Sequence, residues 1–258
     1  MHDGDGMRTV VYFKGCPMRC RWCHNPEALS SQKVVMYYTG KCIACGECIR
    51  LCPAGALSVC GETKSVDELF DIILKDVHYY KQSGGGFTLS GGECLMQADF
   101  ALEFLKKCHD ADIHTAIETS LFVSFESVEK VLPYVDLIFA DLKHHDPIQH
   151  KEYTGVPNEL IIDNLGKISD LHDNIIIRIP LIPGVNDSEA DMNEFAKIIN
   201  RLGQGIKAVE LLKYNHMAQS KYNALGIDYT SFGDMAQDVE KISSLAEVMS
   251  KMLKINVC

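Results

Sequence analysis

The sequence lacks any run of about 18 apolar residues, the length that a membrane-spanning helix needs, so we expect no membrane partner. It also lacks a positive charge balance, because 35 acidic against 25 basic residues give a formal net charge of −10. A nucleic-acid partner would favour a basic surface, so this class of function is not expected either. The first residues, MHDGDG, are polar and glycine-rich, unlike a secretory signal. We therefore expect a cytoplasmic protein.

Cysteine, in contrast, is abundant and unevenly distributed. There are 11 cysteines in 258 residues, and seven of them lie between residues 16 and 52. Without a secretory signal a disulfide framework is not expected, because the cytosol keeps thiols reduced. Thiols two or three residues apart more often bind a metal. The two groups are Cys16, Cys20 and Cys23, and Cys42, Cys45, Cys48 and Cys52.

Hydrophobic periodicity predicts six strands that alternate with helices. The predicted strands are residues 9–13, 87–90, 115–117, 135–140, 175–180 and 207–212, and the predicted helices are residues 66–77, 97–109, 125–132, 158–171, 188–201 and 234–253. Ser65 and Glu68 have the spacing of a capping box at the start of the first helix. The alternation implies a parallel α/β sheet, either an open doubly wound sheet or a partial barrel.

Polar side chains follow several of the predicted strands, and their position favours one of these two folds. The first cysteine loop and residues 90–93, 118–119, 141–143 and 214–215 each fall at the C-terminal end of a strand. Barrel active sites are built at that face. The sequence therefore predicts a partial (β/α)6 TIM-like barrel with its site at this rim.

Cys16, Cys20 and Cys23 place three thiolates on one short loop after the first strand. A [4Fe–4S] cube is usually held by four thiolates, so three local ligands leave one iron with an open position. Catalytic metal sites keep such a position for a reacting ligand. The alternative is a structural zinc site with a distant fourth ligand.

This loop, with aromatic Trp22 before its last cysteine, resembles the radical S-adenosylmethionine (SAM) superfamily. Ser90, Gly91, Gly92 and Glu93 resemble its glycine-rich motif, which receives the SAM amino group. Cys94 stands where that family usually has proline, and we expect it to be buried. Over nearly the whole chain the sequence resembles the glycyl radical enzyme activating enzymes, the pyruvate formate-lyase activating enzyme group. The matching segments are residues 3–8, 13–16, 23–26, 90–93, 141–143, 183–184 and 211–222.

The resemblance implies an enzyme that reductively cleaves SAM to a 5′-deoxyadenosyl radical. That radical removes a hydrogen from the Cα of a glycine in the C-terminal loop of a partner glycyl radical enzyme. It also implies a reductant such as flavodoxin or ferredoxin, and we expect a monomer. The catalytic residues it implies are Cys16, Cys20, Cys23 and Lys143, and the SAM-binding residues are Trp22, His24, Ser90, Gly91, Gly92, Glu93, Glu118, Asp141, Lys143, Arg178, Asn215 and His216.

Several of these assignments have an alternative. Arg178 either meets the SAM carboxylate or forms a structural ion pair, and either Asn215 or His216 reaches the cofactor. Glu118, Thr119 and Asp141 match positions that hold a monovalent cation in the pyruvate formate-lyase relative, and Asp3 matches one near its substrate peptide. Relatives usually carry a segment before Asp3, so an early strand is either absent or precedes the start used here. The remaining histidines His144, His145 and His150 are expected on a surface loop.

The second cysteine group, followed by Pro53, is the bacterial ferredoxin run. In ferredoxins with two runs the fourth cysteine ligates the other cluster, but this sequence has one run. We therefore expect one auxiliary [4Fe–4S] cluster on Cys42, Cys45 and Cys48, with Cys52 or Cys60 as fourth ligand. The alternative is a zinc ribbon. The predicted boundaries are a barrel over residues 1–24 and 64–258 and a ferredoxin-like insert over residues 25–63.

Two other functions stay open from the sequence. One is a radical SAM enzyme that acts on a small molecule. The other, from a different class, is a non-catalytic iron–sulfur electron carrier or zinc-binding module.

Overall fold

The computed structural model describes residues 4–46, 48 and 52–258, so Asp3 lies outside the described residues. The strands in this part of the chain are β1 (Arg8–Phe13), β2 (Val34–Tyr37), β3 (Leu57–Cys60), β4 (Gly86–Gly91), β5 (His114–Thr119), β6 (Leu137–Asp141), β7 (Ile175–Pro180), β8 (Ile206–Leu212) and β9 (Asn256–Val257). The α-helices are α1 (Val66–Leu74), α2 (Val77–Ser83), α3 (Ala98–Asp110), α4 (Phe125–Glu129), α5 (Pro147–Thr154), α6 (Glu159–Leu171), α7 (Glu189–Ile199), α8 (Gln219–Leu225) and α9 (Val239–Ser250).

Seven strands form one parallel sheet in the order β1-β4-β5-β6-β7-β8-β9. Each strand is added beside the one before it, always on the same edge. A doubly wound sheet would instead reverse its order at a switch point. The order is that of a barrel, left open between the first and last strands, so the predicted partial-barrel α/β fold is confirmed and the doubly wound alternative is not.

Burial on both faces explains why the six predicted strands are recognisable in the sequence. In β4, Phe87, Thr88 and Leu89 are all fully buried, as expected for a parallel strand covered on both sides. Helix α3 covers one face, and Phe104 packs edge-to-face against Phe87 at 5.0 Å between ring centroids. Cys94 is also fully buried, as predicted.

The first helix begins where the capping box predicts. The Ser65 hydroxyl accepts from the Glu68 N–H at 3.2 Å, and the Glu68 carboxylate accepts from the Ser65 N–H at 2.7 Å. The helix ends at Leu74 rather than continuing through residue 77, and α2 follows as a separate helix. Gly84 ends α2 in the left-handed conformation, with a φ of 70°.

The cysteine-rich insert contains an antiparallel hairpin that the sequence did not predict. Strand β2 pairs with β3, with Val35 opposite Val59. Both of these side chains are exposed, at 55% and 62%. Strand β2 alternates around buried Met36, but over four residues only, and β3 has no buried residue, so the sequence signal is weak. Helix α8 lies against β2. The predicted ferredoxin-like character of the insert and the domain boundaries stay predictions.

The prediction that His144, His145 and His150 lie on a surface loop is wrong. His144 is 2% exposed and His150 is fully buried, while His145 is half-buried. Helix α5 carries His150 and begins after Asp146, its N-cap, with a proline in its first turn, whereas His144 and His145 lie in the segment before it. These capping residues are visible in the sequence and were the missed signal. Helices α2 and α8 and the short β9 were also missed.

Candidate active site

A cavity of about 460 Å³ opens at the rim where the C-terminal ends of β1, β4, β5, β6, β7 and β8 meet. Its size is typical of a small-molecule site. The predicted SAM and first-cluster residues that line it are Cys16, Cys20, Trp22, Cys23, His24, Ser90, Gly91, Gly92, Glu118, Asp141, Lys143, Arg178 and Asn215. Six segments that are distant in the sequence thus contribute to one cavity.

Glu93 and His216 do not line this cavity. The Glu93 carboxylate is fully buried and accepts hydrogen bonds from the Leu95 N–H, the Thr119 hydroxyl, and the N–H and hydroxyl of Ser120, at 2.5–3.2 Å. Burial raises the pKa of Glu93, although these hydrogen bonds act to lower it. Glu93 therefore joins the loops after β4 and β5, and its contact with SAM stays a prediction.

The two glycines before Glu93 are required by backbone packing. Gly91 has a φ of 109°, and a Cβ there would lie 2.3 Å from the Phe13 nitrogen. A Cβ on Gly92 would lie 2.2 Å from the Gly15 carbonyl oxygen. The Glu93 N–H also donates to that oxygen at 2.8 Å. The glycines therefore let the loop after β4 lie directly against the start of the cysteine loop.

The first cysteine loop is held by helix α5 as well as by the sheet. The Arg19 N–H donates to the Thr154 carbonyl at 2.7 Å, and the Arg21 N–H donates to the Tyr153 carbonyl at 2.9 Å. A turn closed by the Cys23 N–H on the Cys20 carbonyl, at 3.0 Å, brings the last two cysteines into the cavity. Trp22 between them packs against the rings of Tyr153 and Phe232.

The three thiols suit a cluster better than a single ion. Two sulfurs on one zinc are at most about 4.6 Å apart, because each zinc–sulfur bond is about 2.3 Å. Among the described residues, the group of three ligand atoms that lie within 4.8 Å of one another is His144, His145 and Asp191, which contains no cysteine. A cube presents its irons at separate corners, so its thiolates are spread more widely. The arrangement therefore fits a [4Fe–4S] cluster, which Cys16, Cys20 and Cys23 would hold.

Charge at the cavity is concentrated in the Asp141–Lys143 pair, whose charged atoms are 2.6 Å apart. Burial opposes the charge on Lys143, but Asp141 and the thiols Cys20 and Cys16 outweigh it and raise the pKa of this lysine. Burial also raises the pKa of all three cluster thiols, that of Cys20 to about 12, while Lys143 lowers it. A buried cation thus stands beside the ligands that must become anionic.

Arg178 forms the structural ion pairs that the sequence left open. Its guanidinium contacts Glu118 at 2.5 Å and Glu210 at 2.7 Å, and it stacks over the Phe139 ring. Glu118 also accepts from the Ser90 hydroxyl. The three side chains of the expected monovalent-cation site therefore already contact protein groups. Glu118 contacts Arg178 and Ser90. Thr119 donates to the Glu93 carboxylate, and Asp141 pairs with the Lys143 ammonium. That cation stays a prediction.

At the end of β8 it is Asn215, not His216, that lines the cavity. Asn215 hydrogen-bonds the His24 side chain, and burial lowers the pKa of that histidine. Sequence reasoning missed several further lining residues, among them Tyr12, Met18, Ile182 and Lys213. Tyr12 and Lys213 sit at strand ends, so their position in the register was the available signal.

The second cysteine group lies at the surface. Cys42, Cys45 and Cys48 are exposed, and Cys52 and Cys60 are half-buried. A hydrogen bond from the Tyr37 hydroxyl lowers the pKa of Cys42, and a hydrogen bond from the Ala56 N–H, at 3.3 Å, lowers that of Cys52. Residues 47 and 49–51 of this run lie outside the described residues.

Comparison with known proteins identifies the family. Residues 10–196 match the family described as the radical SAM superfamily. The chain belongs to the radical SAM superfamily. Its members use SAM and a [4Fe–4S] cluster, which agrees with the cysteine loop at the cavity.

Relatives within the radical SAM superfamily are activating enzymes. The chain is 39% identical to the choline trimethylamine-lyase activating enzyme of Oleidesulfovibrio alaskensis, over 95% of this chain and 91% of that protein. It is 40% identical to the (2S)-3-sulfopropanediol dehydratase activating enzyme of Klebsiella oxytoca, over 89% and 83% respectively. A solved domain of a pyruvate-formate lyase-activating enzyme from Bacteroides vulgatus superposes with a TM-score of 0.55 and 30% identity, covering 67% of this chain and 99% of that domain.

The alignment with the Oleidesulfovibrio enzyme spans 281 positions, more than the 258 residues of this chain, so this radical SAM protein has deletions relative to that relative. Among the described residues, every helix is too short or too polar to span a bilayer.

Proposed function

We propose that this protein activates a glycyl radical enzyme. One observation carries the proposal: three thiols, a partly buried lysine–aspartate pair and the glycine-rich strand end converge in one cavity of a chain that matches activating enzymes over most of their length. When bound, the cluster and SAM supply an electron and a radical able to remove hydrogen from carbon. The protein supplies position and shielding.

Each residue of the cavity has a role in this proposal. Cys16, Cys20 and Cys23 hold the cluster, and Lys143 supplies positive charge beside them. Asp141 keeps that lysine charged and in place. We assign the remaining SAM contacts to the lining residues Trp22, His24, Ser90, Gly91, Gly92, Glu118, Arg178 and Asn215.

The proposed substrate is the C-terminal glycine loop of the partner enzyme. The cavity is open at the rim, where Tyr12 is 56% exposed, so an extended peptide can reach the residues inside. The glycine Cα must come within near-attack distance of the radical carbon. A small redox protein, flavodoxin or ferredoxin, is proposed as reductant, and the activating enzyme is proposed to act as a cytoplasmic monomer.

The proposal includes one auxiliary [4Fe–4S] cluster in the insert. Cys42, Cys48 and Cys52 all act to raise the pKa of the Tyr37 hydroxyl, so these three thiols lie near one side chain. Cys60 instead pairs with Val34 at the far end of the hairpin. This supports Cys52 as the fourth ligand, with Cys42, Cys45 and Cys48 as the others.

The test is anaerobic. Reconstituted protein is mixed with SAM, a reductant and a candidate glycyl radical enzyme, and the radical is detected by electron paramagnetic resonance (EPR). We expect a glycyl radical signal with 5′-deoxyadenosine formed, and neither when Cys23 is replaced by alanine. 5′-Deoxyadenosine without a glycyl radical on any candidate partner would favour a small-molecule substrate. No 5′-deoxyadenosine at all would favour an electron carrier or zinc module.

A further inference from the structure

Lys221, on helix α8, reaches across to the segment that follows the last cysteine of the first loop. Its ammonium donates to the His24 carbonyl oxygen at 3.0 Å, the Asn25 side-chain oxygen at 3.0 Å and the Glu27 carboxylate at 2.6 Å. These partners are nearly 200 residues away in the sequence. One lysine thus ties the C-terminal part of the chain to the cysteine loop.

The His24 carbonyl belongs to the same peptide unit as the Asn25 N–H. Burial raises the pKa of the Cys23 thiol, and the Asn25 N–H acts in the opposite direction and lowers it. A peptide unit is planar and trans, so its C=O and N–H point in opposite directions. A cation that holds the oxygen therefore fixes the direction of the N–H, and it also polarises the peptide so that the N–H donates more strongly.

We propose that Lys221 is a positioning residue for the catalytic cluster, holding the His24–Asn25 peptide so that its N–H donates to the Cys23 thiolate. Hydrogen bonds to ligand sulfurs are among the factors that set the reduction potential of an iron–sulfur cluster. Without Lys221 this donor is free to turn away, and the cluster becomes harder to reduce. The inference rests on the proposed assignment of Cys23 as a cluster ligand.

Glu27 has a separate part in this arrangement. Its side chain is 17% exposed, and it neutralises the Lys221 ammonium, which is 28% exposed. When the Glu27 charge is removed, the ion pair with Lys221 is lost, but the hydrogen bond from the Lys221 ammonium to the His24 carbonyl oxygen can still form. Glu27→Gln therefore separates the ion pair from the peptide contact.

The experiment uses the anaerobically reconstituted holoenzyme. The SAM-binding cluster is followed in a redox titration through the EPR signal that changes when SAM is added. We expect Lys221→Met to lower the ratio of reduced to oxidised SAM-binding cluster about tenfold at a fixed potential. An effect of this size is usual when a group that holds a metal ligand in place is lost. For a one-electron couple this is about 59 mV. Lys221→Arg should restore most of the shift, because a guanidinium also donates to a carbonyl.

Lys241→Met is the matched control, since Lys241 pairs with the Asp187 carboxylate, which is 7% exposed and away from the cysteine loop. It should lower the melting temperature without moving the potential. Glu27→Gln removes a negative charge that acts on the Cys23 thiol, so its cluster should be at least as easy to reduce as that of the parent. A parent potential in Lys221→Met would overturn the proposal. If Lys221→Met fails to load its cluster, the other two variants decide. The proposal is overturned if Glu27→Gln has a cluster that is harder to reduce than the parent's and Lys221→Arg does not have the parent potential. A parent without any SAM-responsive signal would contradict the proposed function rather than this inference.

Discussion

The two cysteine groups of this chain are held in opposite ways. The first loop is fixed by the folded protein, since it bonds to α5 and lies against the glycines after β4, and burial raises the pKa of its thiols. The second group is exposed on a small hairpin, and local hydrogen bonds lower the pKa of two of its thiols. The contrast indicates that the barrel shapes the first site, whereas a metal is needed to organise the second.

The largest effect should come from replacing one cysteine in each group. Cys23→Ala should abolish SAM cleavage, whereas Cys45→Ala should keep the SAM-responsive EPR signal, because the barrel alone builds that site. Each variant should lose about four irons from a parent total of about eight. Iron analysis and 5′-deoxyadenosine assays check this. Loss of the SAM-responsive signal in Cys45→Ala would break the comparison by showing that the sites depend on each other.

A smaller effect distinguishes the two candidate fourth ligands of the insert. Cys52→Ser should reduce bound iron toward about four per chain, because Cys52 groups with Cys42 and Cys48 around Tyr37. Cys60→Ser should keep the parent iron content. Iron retention after exposure to a chelator measures both. The assignment is contradicted if Cys60→Ser is the variant that loses iron.

The smallest effect concerns the buried carboxylate that supports the first site. Glu93→Gln places an amide group against hydrogen-bond donors, so we expect unfolding to cost about 2 kcal/mol less, or a melting temperature about 4–8 °C lower for a chain of this size. The matched control is Glu62→Gln, an exposed residue of the insert, which should change little.

The difference in unfolding free energy between the parent and Glu93→Gln should also depend on pH. Burial raises the folded-state pKa of Glu93 above its ordinary value of 4.5, so the folded state holds this proton more tightly than the unfolded state. The parent therefore loses stability as pH rises from the ordinary toward the raised pKa, and the amide does not. The difference in unfolding free energy between parent and variant should therefore narrow as pH rises above the ordinary pKa of 4.5 in metal-free protein. A gap that widens would show that the charged form is the stabilised one.

Much of the fold could be predicted because local patterns agree with tertiary burial. Strands such as β6 and β7 begin with runs of apolar residues, and the cysteine spacing is a local property of one loop. The hairpin of the insert was not predictable in this way, because Val35 and Val59 face solvent. The alternation in β2 covers only four residues and β3 has no buried residue, so neither strand gives a clear periodic signal.

The site was predicted better by position than by orientation. The sequence places Ser90, Asp141 and Asn215 at or near strand ends, and all three line the same cavity in the structure, because parallel strands end at the same edge. The direction of the Glu93 side chain depends on donors from the loop after β5, and such partners cannot be read from the Glu93 segment alone. Lys221 was missed for the same reason, because its partners precede it by nearly 200 residues.

The open rim separates the part of the chain that sets stability from the part that meets other molecules. Sheet residues such as Leu89 and Ile177 are covered on all sides, while the loops beyond the strand ends are free to vary without disturbing them. Two relatives of nearly equal similarity carry the names of different target enzymes. A scaffold of this kind can exchange its target by changing loops alone, which makes the loop sequences, rather than overall identity, the place to look for the matching partner.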